Sequence, residues 1–165
     1  MTTGLDDLRI LKQSEEICDG IWSHVENWQE FARRTVGVQI VRAADSIGAN
    51  IAESFGRFNY GEKITFLYYA RGSLFETKFW LNRASTRKLI SQDDVALYQQ
   101  RMSDLARQLN SFLANIKAQR AGNHSTRSNT LREERADYLV FGGDEPDCLF
   151  TEEEIAWLQS LISNP

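Results

Sequence analysis

The chain has 165 residues, of which 42% are hydrophobic and 25% charged, and this composition is typical of a folded globular domain. No stretch reaches the roughly 18 consecutive apolar residues that a membrane span needs, and residues 1–7 lack a basic segment followed by an apolar one. We therefore expect a cytoplasmic protein with no membrane association. Cys18 and Cys148 have no CxxC spacing, so we expect free thiols and no metal site.

Charge is distributed unevenly along the chain. Residues 1–120 carry 16 basic and 14 acidic side chains, a balance of +2, whereas residues 121–165 carry 3 basic and 9 acidic side chains, a balance of −6. The first part is only weakly favourable for polyanions, and the acidic tail repels them unless it is directed elsewhere.

Four segments have apolar residues spaced by three and four, which is typical of amphipathic helices. Three of them are residues 5–28, 35–57 and 61–89. The fourth begins after a capping signal at Ser91 and Asp94. Its apolar seam consists of Val95, Tyr98, Met102, Leu105, Leu109, Phe112 and Ile116.

The breaks between these segments are short, at residues 31–34, 58–61 and 90–92. Short loops between long helices make sequence neighbours antiparallel. The predicted fold is therefore all-α: an antiparallel up-down-up-down four-helix bundle over residues 1–120, followed by a short C-terminal helical tail.

Residues 121–165 are predicted to be a polar linker and an acidic C-terminal tail. Thr151 and Glu154 form a capping box that opens a short amphipathic helix with Ile155, Leu158 and Ile162 on one side. This tail is too small to fold alone, so its apolar residues must dock on the bundle or on a partner.

A polar stripe runs along the second predicted helix. Its members are spaced by four, four, three and four: Arg42, Ser46, Asn50, Glu53 and Arg57. If the second and third helices fold back around Asn59, facing positions have numbers that sum to about 118.

This fold-back predicts an ion pair between Arg42 and Glu76 and a polar contact between Ser46 and Ser73. We favour the interpretation that the stripe sets helix register or forms a subunit interface. A ligand or nucleic-acid site is the alternative.

Five basic residues are expected to meet at one end of the bundle, where the first and third loops lie: Arg33, Arg34, Arg83, Arg87 and Lys88. In an oligomer they would form a polyvalent patch for phosphates of nucleic acid. The alternative is a solvated helix end carrying ordinary C-terminal cations.

Two aromatic pairs, Tyr68 with Tyr69 and Phe79 with Trp80, could stack bases. We instead favour a role for them in the core or in a subunit interface.

The residues that catalysis usually needs are sparse. His24 and His124 are the only histidines. The chain has no HExxH, no glycine-rich phosphate loop, no nucleophile elbow and none of the Glu-x-x-His pairs of di-iron bundles. We therefore expect a protein that is not an enzyme and holds no cofactor.

Residues 39–76 carry two motifs, QIVRAADSIGANIAESFGR and GEKITFLYYARGSLFE. They closely resemble the signature of the bacterial 23S ribosomal-RNA intervening-sequence protein family, although Ser54 stands where that pattern usually has glycine. The resemblance covers residues 5–117 and implies a four-helix bundle assembled into a ring of five subunits. It also implies that the chain is related to the accessory variability determinants of diversity-generating retroelements, which bind a reverse transcriptase and nucleic acid.

Our leading hypothesis is a homo-oligomeric scaffold, pentameric by resemblance, that binds a partner protein such as a reverse transcriptase and RNA or DNA. The alternative is a purely structural protein-interaction module that uses its acidic tail and binds no nucleic acid.

Overall fold

The structure, a computed structural model, describes residues 9–127 of the chain and the side chains of residues 9–121. Every regular element in this range is helical, and no strand occurs among these residues. The elements are α1 (Arg9–Val25), α2 (Glu30–Ala32), a π-helical turn (Arg33–Gly37), α3 (Val38–Gly56), α4 (Tyr60–Thr86) and α5 (Gln92–Arg127). The predicted all-α class is confirmed, and the predicted C-terminal helix lies outside the described residues.

The first predicted break was placed at residues 31–34, but in the structure it lies at residues 26–29, between α1 and α2. Residues 31–34 are helical, because α2 and the π-helical turn lead without interruption into α3. Ala32, Arg33 and Gly37 all have right-handed helical dihedral angles, and the Arg33 amide donates to the Gln29 carbonyl at 2.9 Å. Residues 30–36 contain neither glycine nor proline, so nothing in the backbone stops a helix there.

The other two breaks are confirmed with shifted bounds, since α3 ends at Gly56 and α4 begins at Tyr60, while α4 ends at Thr86 and α5 begins at Gln92. Helix α5 runs to Arg127, so the first residues of the predicted linker are helical. The domain boundary itself stays a prediction.

Contacts between helices run in opposite order along each pair. On α1 and α3, Ser14 lies against Gly48, and the Cys18 thiol donates to the Ala44 carbonyl at 3.0 Å. On α1 and α5, Gly20 lies against Tyr98, and His24 lies 3.8 Å from Asp94. This order is the one expected of the predicted antiparallel arrangement.

The core of this helical bundle is almost entirely aliphatic. Its largest fully buried apolar side chains are Ile17, Ile21, Ile40, Ile47, Ile51, Leu67, Leu74, Leu81, Met102 and Leu105. The predicted seam of α5 is buried, apart from Phe112, which is half-buried. On α3, Phe55 lies four residues after the buried Ile51, at helical spacing, yet it is exposed. Ser54 is buried instead, and its hydroxyl donates to the Ile51 carbonyl at 2.7 Å.

The connection from α4 to α5 is built from two caps. The Lys88 amide donates to the Ser85 carbonyl and the Leu89 amide to the Ala84 carbonyl, both at 2.9 Å, in the pattern of a Schellman motif. The Ser91 hydroxyl then accepts from the Asp94 amide at 3.1 Å, which confirms the predicted cap. None of the helices in the described part is long and apolar enough to cross a membrane.

Candidate nucleic-acid interface

A groove opens where the π-helical turn meets the end of α4. It consists of two adjoining cavities of about 460 and 540 Å³ that share Thr35, Val36 and Arg87. The first is also lined by Arg34, Gln39 and Trp80, and the second by Gln29, Phe31, Ala32 and Leu89. Two arginines and two aromatic rings therefore border one continuous surface, which we call the Arg34–Arg87 groove.

The two arginines of the groove differ in their partners. Arg34 forms an exposed ion pair with Glu30 at 2.7 Å, one turn earlier in the same helical stretch. Within the described part of the chain, Arg87 makes no ion pair. Since surface ion pairs contribute little free energy, Glu30 is a weak competitor for an anion that reaches both guanidinium groups.

The other three predicted basic residues do not line the groove. Arg33, Arg83 and Lys88 are exposed, and the Arg83 guanidinium lies 6.0 Å from the centre of the Phe79 ring. The sequence thus predicted the meeting of Arg34 and Arg87. It did not predict that Phe31 borders the same groove.

The aromatic residues of α4 divide between core and surface. Tyr68 and Trp80 are partly buried against the core, while Tyr69 and Phe79 are exposed. The Trp80 ring meets that of Phe79 edge-on at 5.0 Å, and its indole N–H donates to Glu76 at 3.4 Å. This orients one indole at the groove, where a planar group such as a nucleobase could stack.

The polar stripe of α3 is satisfied mainly within its own helix. The Ser46 hydroxyl donates to the Arg42 carbonyl at 2.7 Å, the Asn50 amide donates to the Ser46 carbonyl at 2.8 Å, and Glu53 forms an ion pair with Arg57. Two contacts reach α4. The Asn50 amide donates to the Ser73 hydroxyl at 3.4 Å, and the Arg57 guanidinium lies 4.6 Å from the centre of the Phe66 ring.

The predicted Arg42–Glu76 ion pair is wrong, as is the predicted contact between Ser46 and Ser73. The Asn50–Ser73 and Arg57–Phe66 contacts are offset by five residues from the predicted pairing, whereas the contact of Lys63 with Phe55 follows it. With the offset of five residues, Arg42 is level with Leu81, about 7.5 Å along α4 from Glu76. The prediction assumed a symmetric fold-back around Asn59; the connection is indeed residues 57–59, but away from it Asn50 and Ser73 are offset by five residues from that symmetric pairing.

Four groups have perturbed pKa values, among them Tyr98, whose pKa is raised by burial. Burial, together with the nearby carboxylates of Asp45 and Asp19, raises the pKa of Cys18 to about 12, which leaves an unreactive thiol. Burial also raises the pKa of Asp45. Lys78 is 2% exposed, and burial lowers its pKa to about 8.

The burial of Lys78 was not predicted, although its spacing of four from Leu74 and three from Leu81 places it beside the apolar seam of α4. Among residues 9–121, no three His, Cys, Asp or Glu side chains are grouped to hold a metal ion. His24 is half-buried near Asp94 at 3.8 Å, and the side chain of His124 lies outside the described set.

Residues 6–111 match the family model described as 23S rRNA-intervening sequence protein. The chain belongs to this family. The match includes α1, α3, α4, both motifs and both groove arginines, but it ends before the acidic tail. No curated protein shows significant similarity to the chain.

A solved structure supports the fold of this intervening-sequence protein. It is the crystal structure of a protein of unknown function from the S23 ribosomal protein family of Bacteroides thetaiotaomicron, with a TM-score of 0.57 and 23% sequence identity. The similarity covers 63% of the present chain and 97% of the crystallised one. At this identity the likeness concerns the fold alone.

Proposed function

We propose that this intervening-sequence protein is a non-catalytic, homo-oligomeric scaffold that binds RNA or DNA through the Arg34–Arg87 groove. Its frame would be an antiparallel up-down-up-down four-helix bundle, assembled into a pentamer. The scaffold would hold a partner protein, such as the reverse transcriptase of a diversity-generating retroelement, and would act in the cytoplasm.

The groove is the observation that carries the nucleic-acid part of the proposal. Arg34 and Arg87 present guanidinium groups that suit phosphate oxygens, and Trp80 and Phe31 offer aromatic surface beside them. Single-stranded nucleic acids are commonly bound by this combination of cations along the backbone and aromatic platforms for bases. Repetition in an oligomer would multiply the otherwise weak contacts.

Exposed aromatic side chains support the assembly part. The side chains of Trp22, Tyr69 and Phe79 are 58%, 57% and 54% exposed. Aromatic residues are enriched where subunits meet, so these side chains are candidates for an interface. The number five and the polymerase partner rest on the resemblance carried by the motifs of α3 and α4.

Binding of single-stranded RNA by the full chain at low salt tests the nucleic-acid part. Reversing both charges with Arg34→Glu and Arg87→Glu should weaken binding and reduce the slope of log affinity against log salt by about 1.4, because each lost phosphate contact removes about 0.7. Arg120→Glu, an exposed change on α5, is the matched control. Unchanged binding in the double variant would contradict the groove as the site.

Native mass spectrometry of the untagged protein, isolated from its own cells without nuclease, tests assembly and partners together. Five copies with additional mass from a polymerase or nucleic acid are expected. A bare monomer would contradict the scaffold.

The charge balance favours a second candidate function, a protein-interaction module that uses its acidic tail. The charge of −6 on residues 121–165 exceeds the charge of +2 on residues 1–120, so the chain has a net negative charge and does not attract polyanions. Absence of RNA binding at low salt, with the oligomer intact, would favour this candidate.

A further inference from the structure

The opposite end of the bundle from the groove carries exposed apolar surface. Phe58, in the connection between α3 and α4, is 95% exposed, and Phe55 on the last turn of α3 is 36% exposed. Nothing in residues 9–121 covers the Phe58 ring. Two exposed phenyl rings three residues apart are uncommon on a protein surface that remains exposed to solvent.

One basic side chain contacts this apolar surface, and a second lies at the same level of the bundle on α5. The Lys63 amino group donates to the Phe55 carbonyl at 3.5 Å and lies 6.0 Å from the centre of the Phe55 ring. The hydrogen bond between Gln92 and Ser85 sets the register of α4 and α5, and by this register Lys117 is level with Tyr60. We call the surface formed by Phe55, Phe58 and Lys63, with Lys117 at the same level on α5, the Phe58 patch.

The chain leaves the described structure close to this patch. Helix α5 starts at the groove end and, at 36 residues, is about 54 Å long, whereas α4 spans only about 40 Å. Arg127 therefore lies beyond the patch end of the bundle. The chain beyond Arg127 therefore starts at the patch end, about the length of α4 away from the Arg34–Arg87 groove.

The composition of those residues complements the patch. Between Asp144 and Glu154 the chain has six acidic side chains and no basic one. Apolar residues follow at the spacing of one helix face: Ile155, Leu158 and Ile162. The apolar residues of this segment are stabilised by burial against other apolar groups, and its carboxylates by nearby cations. The Phe58 patch provides phenyl rings for the first and lysines for the second.

We propose that residues 144–162 dock on the Phe58 patch of the same chain. The acidic side chains face Lys63 and Lys117, and the apolar side chains cover Phe58 and Phe55. Docking there holds the negative charge of the tail at the end of the bundle remote from the groove, where it repels an incoming polyanion least. The inference goes beyond the proposed function and does not depend on it.

Carbodiimide cross-linking of the full chain tests the proposal, because it joins carboxylates directly to lysine amines. The chain has lysines at both ends of the bundle, Lys63 at the patch and Lys88 beside the groove. Peptide mass mapping should find Asp144–Glu154 joined to Lys63 or Lys117. Links to Lys88 in their place would overturn the proposal.

Two exposed phenylalanines at opposite ends provide a matched pair of variants. Phe58→Ser should lower the yield of the Lys63 and Lys117 links about tenfold, because burial of a phenyl ring is worth at least that factor. Phe31→Ser, which changes an 82% exposed ring at the groove, should leave the yield unchanged. An unchanged yield in the Phe58 variant would overturn docking on the patch.

A mixture of isotopically heavy and light protein separates docking within one chain from docking between copies. Links within chains of one isotopic composition are expected. Links that join a heavy to a light chain would overturn docking within the chain. None of these measurements involves RNA, so the result is independent of whether the groove binds nucleic acid.

Discussion

The burial of Lys78 makes the folding stability of this protein depend on pH. Lys78 is 2% exposed on α4, and burial lowers its pKa from 10.5 to about 8. Between these two values the unfolded lysine keeps its proton while the folded one has lost it. The unfolded state then binds more protons, so folding stability should rise with pH across this window.

The change Lys78→Met removes this titration while keeping an unbranched side chain. Relative to K78M, the wild-type protein should gain about 1 to 3 kcal/mol in free energy of unfolding between pH 7 and pH 11. Urea denaturation at several pH values measures the difference. An equal pH dependence in the two proteins would show that Lys78 titrates normally in the fold.

Gly20 and Gly72 are two helical glycines in different surroundings. A Cβ added at Gly20 would lie 2.5 Å from the Tyr98 hydroxyl oxygen, whereas one at Gly72 would meet nothing within 4 Å. Gly20→Ala should therefore lower the free energy of unfolding by about 1 to 3 kcal/mol, since the buried Tyr98 ring must shift. Gly72→Ala, the control, should raise it by about 0.5 to 1 kcal/mol. Thermal or urea unfolding measures both, and a stabilising Gly20→Ala would contradict close packing at Tyr98.

At the scale of elements, the connection between α4 and α5 contains one strained residue. Lys88 occupies the left-handed position of the Schellman motif with φ of 57°, where glycine is preferred. Lys88→Gly should raise the free energy of unfolding by about 0.5 to 1 kcal/mol, because it relieves the contact of the Cβ. Arg87→Gly, whose parent residue has φ of −89°, should lower it by a similar amount. If both variants lost stability in calorimetry, the left-handed cap would be wrong.

The register of α3 against α4 is an element-scale result that sequence spacing could not provide. Spacing correctly placed Asn50, Glu53 and Arg57 on one stripe, because helical periodicity is local. Which residue of α4 each one meets depends on how far the two helices are displaced along each other. An offset of five residues from the symmetric pairing places Arg42 level with Leu81 rather than with Glu76.

At the scale of the whole molecule, we expect oligomer assembly because aromatic side chains of α4 are exposed. If Tyr69 and Phe79 lie between subunits, replacing both by alanine should raise the dissociation constant of the oligomer about 100-fold, since buried aromatic anchors dominate interfaces. Sedimentation analysis measures this shift. Phe58→Ala, at the end of the bundle, is the control, and an unchanged constant in the double variant would move the interface elsewhere.

The sequence by itself determined the all-α class, the long buried seam of α5, the cap at Ser91 and the family. These properties depend on residues close together in the chain, where helical periodicity and capping chemistry act directly. Only the tertiary structure decided that Phe31 borders the groove, that Ser54 rather than Phe55 is buried, and that Lys78 enters the core. These depend on how helices meet, which the spacing within any one helix does not specify.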